Sequence, residues 1–155
     1  MSPEPSAQPG RVAARLARHV EVGLSRVDLS LPQYRILMFL ADGDAQASAL
    51  ADYLAVSRPS VTAVVDGLAG RGLVERQHDL HDRRRVGHTI TPAGRLVLGE
   101  ADTAVNDRLN EILEQGATPE DRVAAFGELA AWRRAIDGYR AVRQAEKLAG
   151  SGTPR

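Results

Sequence analysis

Two short segments of alternating polarity interrupt a chain whose other segments have helical periodicity. They span residues 73–76 and 86–90, and a polar stretch separates them. Alternation of this kind predicts β-strands, and two strands so close in sequence predict an antiparallel hairpin. The stretch between them contains three consecutive arginines, which cannot be buried together, so the hairpin must lie at the protein surface. The chain is therefore expected to be mainly α-helical with one small β-hairpin.

Helical patterns lie on both sides of the hairpin. Apolar residues recur every four positions from Val12 onward, which predicts a first amphipathic helix. The second helix has a capping-box spacing at its start, formed by Ser30 and Gln33. A short third helix fits residues 48–54. Further start signals are an N-cap Ser57 with Pro59 in the first turn, Thr91–Pro92 and Thr118–Pro119. The order of elements is four helices, the hairpin and two more helices. The third and fourth helices have the size and spacing of a helix-turn-helix.

These patterns predict one domain over residues 11–149. Residues 30–94 would form a compact module of three helices and a hairpin, flanked by long terminal helices over about 11–28 and 95–148. Residues 1–10 and 150–155 lack apolar periodicity and are rich in proline or glycine, so we expect both segments to be disordered.

Composition excludes several classes of function. The chain has 155 residues, 20 basic and 20 acidic side chains and no cysteine, which rules out disulfides, thiolate metal sites and cysteine nucleophiles. It contains no Gly-x-Ser-x-Gly turn and no glycine-rich phosphate loop. We therefore expect no catalytic residues and no cofactor. The absence of a long apolar run or a signal-peptide pattern predicts a cytoplasmic protein without a membrane partner.

Basic charge is concentrated around the hairpin. Residues 57–95 hold seven arginines and four acidic residues, although the whole chain is neutral. The start of the fourth helix carries hydroxyls and a guanidinium suited to phosphates and base edges, on Ser57, Arg58, Ser60 and Thr62. Arginines at a hairpin tip suit a minor groove, where negative potential is focused. Double-stranded DNA is the partner that this combination favours.

The sequence resembles the MarR (multiple-antibiotic-resistance regulator) family of winged-helix transcription factors over roughly residues 12–148. The matching strings are Leu29-Ser30-Leu31-Pro32-Gln33-Tyr34-Arg35-Ile36-Leu37, Leu50-Ala51, Val56-Ser57-Arg58-Pro59-Ser60-Val61-Thr62, Arg71-Gly72-Leu73-Val74-Glu75-Arg76, Asp82-Arg83-Arg84 and Ile90-Thr91-Pro92-Ala93-Gly94. The most specific part is Asp-x-Arg followed at a fixed distance by Thr-x-x-Gly. The resemblance implies a winged helix-turn-helix core flanked by N- and C-terminal dimerisation helices.

The resemblance also implies a function and residue roles. The protein would be a homodimeric repressor that binds a pseudo-palindromic operator and is released by a small anionic or phenolic ligand. Arg84 would enter the minor groove with Asp82 orienting it, while Arg83 and Arg85 would bind phosphates. Arg71 and Arg76 flank the wing and are also expected to contact DNA. Ala63 stands where many members carry a basic residue.

Three further interpretations concern residues outside this surface. A ligand pocket could use Arg15, His19, Tyr34, Arg35 and Met38, although core packing or solvated helix faces explain the same residues. The wing histidines His78, His81 and His88, with Asp79 and Asp82, could instead serve a metal-responsive regulator. We assign no metal site, because residues three apart on a strand point to opposite faces. A non-catalytic helical scaffold would explain the long terminal helices but not the arginine-rich tip.

Overall fold

The computed structural model describes residues 8–43, 45–78 and 86–150. Nine elements of regular structure follow one another in these ranges: α1 Pro9–Leu24, α2 Leu31–Ala41, β1 Ala45–Gln46, α3 Ala47–Leu54, α4 Arg58–Gly70, β2 Val74–His78, β3 Val86–Ile90, α5 Pro92–Gly116 and α6 Pro119–Gly150. A short 3₁₀ turn, Ser25–Val27, joins α1 to α2. No helix in the described ranges has the length and apolar character needed to cross a membrane.

The predicted helix starts coincide with observed caps. Ser30 accepts a hydrogen bond from the backbone N–H of Gln33 at 3.3 Å, and the Gln33 side chain accepts one from the Ser30 N–H at 2.9 Å. The Thr118 hydroxyl accepts from the Asp121 N–H at 3.2 Å at the start of α6. Each cap satisfies an N–H group that the first turn of a helix leaves without a partner. Helix α1 begins at Pro9, within the segment expected to be a disordered arm. Most of that arm, and the tail after Gly150, lie outside the described residues.

A small antiparallel sheet contains the predicted hairpin and one additional strand. Strands β2 and β3 pair from Val74 opposite Ile90 to His78 opposite Val86, which confirms the hairpin. Strand β1 pairs with the other edge of β3, with Ala45 opposite His88, so β3 is the central strand. We did not predict β1, because two residues are too few to show a period.

The core of the first part of the chain is almost entirely aliphatic. Helices α2, α3 and α4 pack together beneath the sheet, and Leu24 of α1 joins them. The largest fully buried side chains are Leu24, Ile36, Leu37, Leu40, Leu50, Leu68, Val61 and Val65. With α4 held on its inner face by Val61, Val65 and Leu68, its opposite face remains exposed to solvent.

The chain divides into two compact units, Met1–Asn110 and Glu111–Arg155. The second unit contains the end of α5 and all of α6. Within it, Arg122 donates a hydrogen bond to the carbonyl oxygen of Glu114 at 2.7 Å, which closes the turn between the two helices. Helix α6 leaves many large apolar side chains exposed: Val123, Phe126, Leu129, Trp132, Ile136, Tyr139 and Val142.

Candidate nucleic-acid interface

The turn between α3 and α4 sets the direction of α4. The N–H of Val56 donates to the carbonyl of Ala51 at 3.2 Å, and the N–H of Ala55 donates to Asp52 at 3.4 Å. This pair of bonds is a Schellman cap, and Ala55 accordingly adopts a left-handed conformation with φ of 54°. The cap ends α3 and lets α4 begin only three residues later. The predicted helix-turn-helix is therefore confirmed.

The first turn of α4 is exposed and carries the predicted recognition residues. Ser57 is the N-cap, and its hydroxyl accepts from the Ser60 N–H at 3.4 Å and lies 2.9 Å from the Ser60 hydroxyl. Thr62 donates to the Arg58 carbonyl at 3.1 Å. All four side chains are exposed. The structure therefore brings hydroxyls, a guanidinium and the positive end of a helix dipole to one surface, an arrangement suited to phosphate and base contacts.

The tip of the wing lies outside the described residues. Asp82, Arg83, Arg84 and Arg85 belong to residues 79–85, so their roles remain predictions. The last described pair of the hairpin is His78 opposite Val86.

The two flanking arginines have partners within the protein. Arg71, at the end of α4, donates to the carbonyl of Asp28 at 2.7 Å and so binds the turn between α1 and α2. Arg76, on β2, forms an ion pair with Asp66 of α4. Both arginines were predicted to contact DNA, and the structure gives each a second role. Sequence reasoning missed Asp66, although an acidic residue on the exposed face of a predicted recognition helix was a visible anomaly.

The Thr-x-x-Gly string forms the joint between the wing and α5. Thr91 is buried, its N–H donates to the Leu73 carbonyl at 3.1 Å, and its hydroxyl donates to the Gly72 carbonyl at 2.7 Å. The Gly94 N–H donates to the same hydroxyl at 3.0 Å. A Cβ atom on Gly94 would lie 2.1 Å from the Leu73 carbonyl oxygen, so only glycine permits this approach. The string therefore fixes where α5 leaves the sheet.

His88 lies buried in the central strand, opposite Ala45 on one side and Arg76 on the other. Burial lowers its pKa, and the positive charge of Arg76 lowers the pKa further. Among the residues that the structure describes, no three His, Asp or Glu side chains are grouped as metal ligands would be. The other wing residues of the metal hypothesis fall largely outside the described part, so that hypothesis stays untested.

The five predicted pocket residues have different neighbours. The Tyr34 hydroxyl donates to Asp102 of α5 at 2.5 Å, and burial together with this bond raises the Tyr34 pKa well above its usual range. His19 Nδ1 lies 3.2 Å from the guanidinium of Arg108, also on α5. Arg35 instead donates to the Tyr53 carbonyl at 3.2 Å and stacks over the Tyr53 ring.

Tyr34 and His19 thus connect α2 and α1 to α5, whereas Arg35 connects α2 to α3. Met38 and Arg15 are exposed. Asp102 and Arg108 are polar residues of this region that sequence reasoning missed, because both lie far along the chain from their partners. A ligand role for this region remains a prediction.

Comparisons with known proteins give a consistent result. The model of the MarR family matches residues 27–85. The uncharacterized HTH-type transcriptional regulator YfiV of Bacillus subtilis is 28% identical over 113 residues, which cover 72% of this chain and 70% of that protein.

Two solved structures are similar in fold to most of this chain. The transcriptional repressor CouR, bound to a 23-mer DNA duplex, has a TM-score of 0.65 and 26% identity over 83% of this chain and 92% of its own. BpsR of Bordetella bronchiseptica, whose DNA binding is regulated by 6-hydroxynicotinic acid, has a TM-score of 0.60 and 25% identity over 81% of this chain and 98% of its own.

Proposed function

This chain belongs to the MarR family of winged-helix transcriptional regulators, and we propose that it is a homodimeric repressor whose DNA binding is relieved by a small ligand. The family consists of transcription factors and not of enzymes. The proposal assigns the protein to the cytoplasm, where it would bind a pseudo-palindromic operator with no cofactor.

The exposed first turn of α4 carries the DNA-binding part of the proposal. In the related repressor CouR, the same fold is bound to a DNA duplex. In this chain, the helix N-terminus with Ser57, Arg58, Ser60 and Thr62 would enter the major groove. The wing would then reach the neighbouring minor groove with Arg84, while Arg83 and Arg85 bind phosphates.

Single alanine variants test this division of roles. Arg84→Ala is expected to weaken binding and to flatten its dependence on A·T content at the half-site edges. Arg83→Ala is expected to weaken binding to all sequences alike and to lower the slope of log K against log salt by about 1. Fluorescence anisotropy with specific and random duplexes measures both. Equal losses on both duplexes for both variants would contradict the assignment.

The exposed apolar side chains of α6 support a dimer. Trp132 is 64% exposed, Ile136 53% and Tyr139 66%, whereas isolated soluble proteins rarely expose so many large apolar groups together. A second copy of the chain would cover them. Two recognition helices could then be held one helical repeat of DNA apart, about 34–36 Å.

Sedimentation equilibrium of the full chain tests the dimer. The double variant Trp132→Ser/Ile136→Ser is expected to shift the protein to monomer and to reduce operator affinity, while the charge-altering variant Arg133→Ser on the same helix leaves it dimeric. A monomeric wild type that binds its operator with full affinity would contradict this part of the proposal.

Polar contacts between α1, α2 and α5 support the ligand-binding part. The Tyr34–Asp102 hydrogen bond joins α2 to α5, and the His19–Arg108 contact joins α1 to α5. Helix α5 is the helix that follows the wing. An anionic or phenolic ligand that inserted here would compete for Arg108 and the Tyr34 hydroxyl, and so change the position of α5.

Hydroxylated aromatic carboxylates, including 6-hydroxynicotinic acid, are the probes for this site. We expect one of them to raise the melting temperature and to release DNA in the anisotropy assay, with both effects lost in Arg108→Ala. Release of DNA by zinc, with no response to any carboxylate, would favour the metal-responsive alternative.

A further inference from the structure

An ion pair links the helix that would read DNA to the wing. Asp66 lies on α4, eight residues after the first helical residue Arg58, and Arg76 lies in the middle of β2. The Arg76 guanidinium donates directly to the Asp66 carboxylate. These two elements are the ones that the proposed function places in adjacent grooves, so the following inference rests on that function.

Asp66 occupies the exposed face of α4. At 100° per residue it projects from the same side as Pro59, Thr62 and Ala63, opposite the buried Val61 and Leu68. A carboxylate on this side faces the polyanion that the helix would bind. Without a neighbouring cation, it would repel the phosphates and reduce affinity.

Stability does not explain the pair. The side chains of Arg76 and Asp66 are 47% and 51% exposed, and ion pairs this accessible contribute little to folding because water screens them. The position of the pair is more informative than its strength, because the pair joins α4 to β2.

The backbone of Arg76 is held firmly in the sheet. It pairs with His88 of the central strand, which is buried and in turn pairs with Ala45 of β1. A guanidinium attached to so fixed a point, and bound to a carboxylate on α4, constrains the angle between the wing and that helix.

We propose that Arg76 is a positioning residue, which neutralises Asp66 and fixes the wing relative to the recognition helix, and does not bind a phosphate. The sequence alone predicts a direct DNA contact for Arg76. The two roles differ in what happens when both charges are removed together.

The test compares Asp66→Asn, Arg76→Ala and the double variant Asp66→Asn/Arg76→Ala, each as the full chain. Two duplexes are used, one selected by the wild-type protein from a random library and the other a shuffled version of it. Anisotropy gives the affinity for each duplex and its salt slope. Circular dichroism confirms that each variant retains the wild-type helix content.

A positioning role predicts opposite effects for the single variants. Asp66→Asn frees the guanidinium, so binding to the shuffled duplex tightens. Arg76→Ala leaves the carboxylate uncompensated, so binding to both duplexes weakens.

The double variant has the same net charge as the wild type. It is therefore expected to bind the shuffled duplex with wild-type affinity and salt slope, and the selected duplex roughly fivefold or more weakly, the scale of one lost base contact. The matched control is Arg18→Ala/Glu21→Gln, which removes an exposed ion pair of α1 outside α4 and the sheet. This control is expected to keep the ratio of the two affinities.

Two outcomes would overturn the inference. A salt slope lowered by about 1 on both duplexes in the double variant would identify a phosphate contact. Wild-type affinity of the double variant for the selected duplex would show that the pair positions nothing. Failure of the wild-type protein to select any duplex is a different result, because it would overturn the proposed function and this inference with it.

Discussion

Gly94→Ala tests the joint between the wing and α5. The added Cβ atom would lie 2.1 Å from the Leu73 carbonyl oxygen and 2.8 Å from Cγ1 of Ile90. Real Cβ atoms keep at least 3.0 Å from such neighbours, so α5 and Leu73, the residue before β2, must separate by about 0.9 Å. The obstacle is a backbone carbonyl, which cannot turn away as a flexible side chain could.

The magnitude follows from what this movement disturbs. Overpacking of a tight site costs about 1–3 kcal/mol. The same displacement stretches the Thr91 hydrogen bonds to Leu73 and Gly72, each worth about 0.5–1.5 kcal/mol. We therefore expect Gly94→Ala to reduce the free energy of unfolding by about 2–6 kcal/mol.

Gly99→Ala on the same helix is the matched control. Nothing lies within 4 Å of a Cβ atom there, and Gly99 is exposed. Alanine should stabilise this helical position by about 0.5–1 kcal/mol. Urea unfolding followed by circular dichroism, at one protein concentration for all variants, measures both changes. A Gly94→Ala protein as stable as Gly99→Ala would refute the reasoning.

Three further predictions concern single contacts. Ala55→Gly should raise the free energy of unfolding in urea by up to about 1 kcal/mol, because glycine adopts the left-handed conformation of the cap without strain. A decrease in the free energy of unfolding of the same size would contradict the Schellman assignment. Tyr34→Phe should lower the free energy of unfolding by about 1 kcal/mol through loss of the hydrogen bond to Asp102. A Tyr34→Phe protein as stable as the wild type in urea unfolding would contradict that contribution. The pKa of His88 is lowered in the folded protein, so just below pH 6.5 the unfolded chain binds more protons than the folded one. The stability contributed by neutral His88 is therefore complete above pH 6.5. It is lost as the pH falls from 6.5 towards the lowered pKa of the folded state. Between pH 7 and 5 the melting temperature should therefore fall more steeply with pH for the wild type than for His88→Gln. Parallel plots of melting temperature against pH for the two proteins would contradict this prediction.

Local sequence signals predicted the helices and the hairpin well. The capping box at Ser30, the N-cap at Ser57 and the Thr-x-x-Gly string at Thr91 each act within a few residues, so their spacing in the sequence already specifies the structure. The wing strands were found because alternation over five residues is a recognisable period.

Contacts between distant parts of the chain could not be predicted in this way. Tyr34 and Asp102 are 68 residues apart, and neither residue type indicates the other. The partners of Arg71 and Arg76 depend on how α4 packs against β2 and against the turn between α1 and α2. The sequence does not show this packing, so a count of local charges assigned both arginines to DNA. Strand β1 is defined by its pairing with the edge of β3, and the sequence of its two residues does not indicate that pairing.

Sequence-specific DNA binding is tested most directly by a fluorescence-anisotropy titration of the purified protein against the DNA flanking its own gene, at two salt concentrations, with scrambled competitor. A repressor that binds its own operator is expected to show saturable binding that the competitor does not displace, a palindromic footprint and an affinity that falls steeply as salt increases. The contradicting result is that the protein binds neither the flanking DNA nor duplexes selected from a random library more tightly than scrambled DNA.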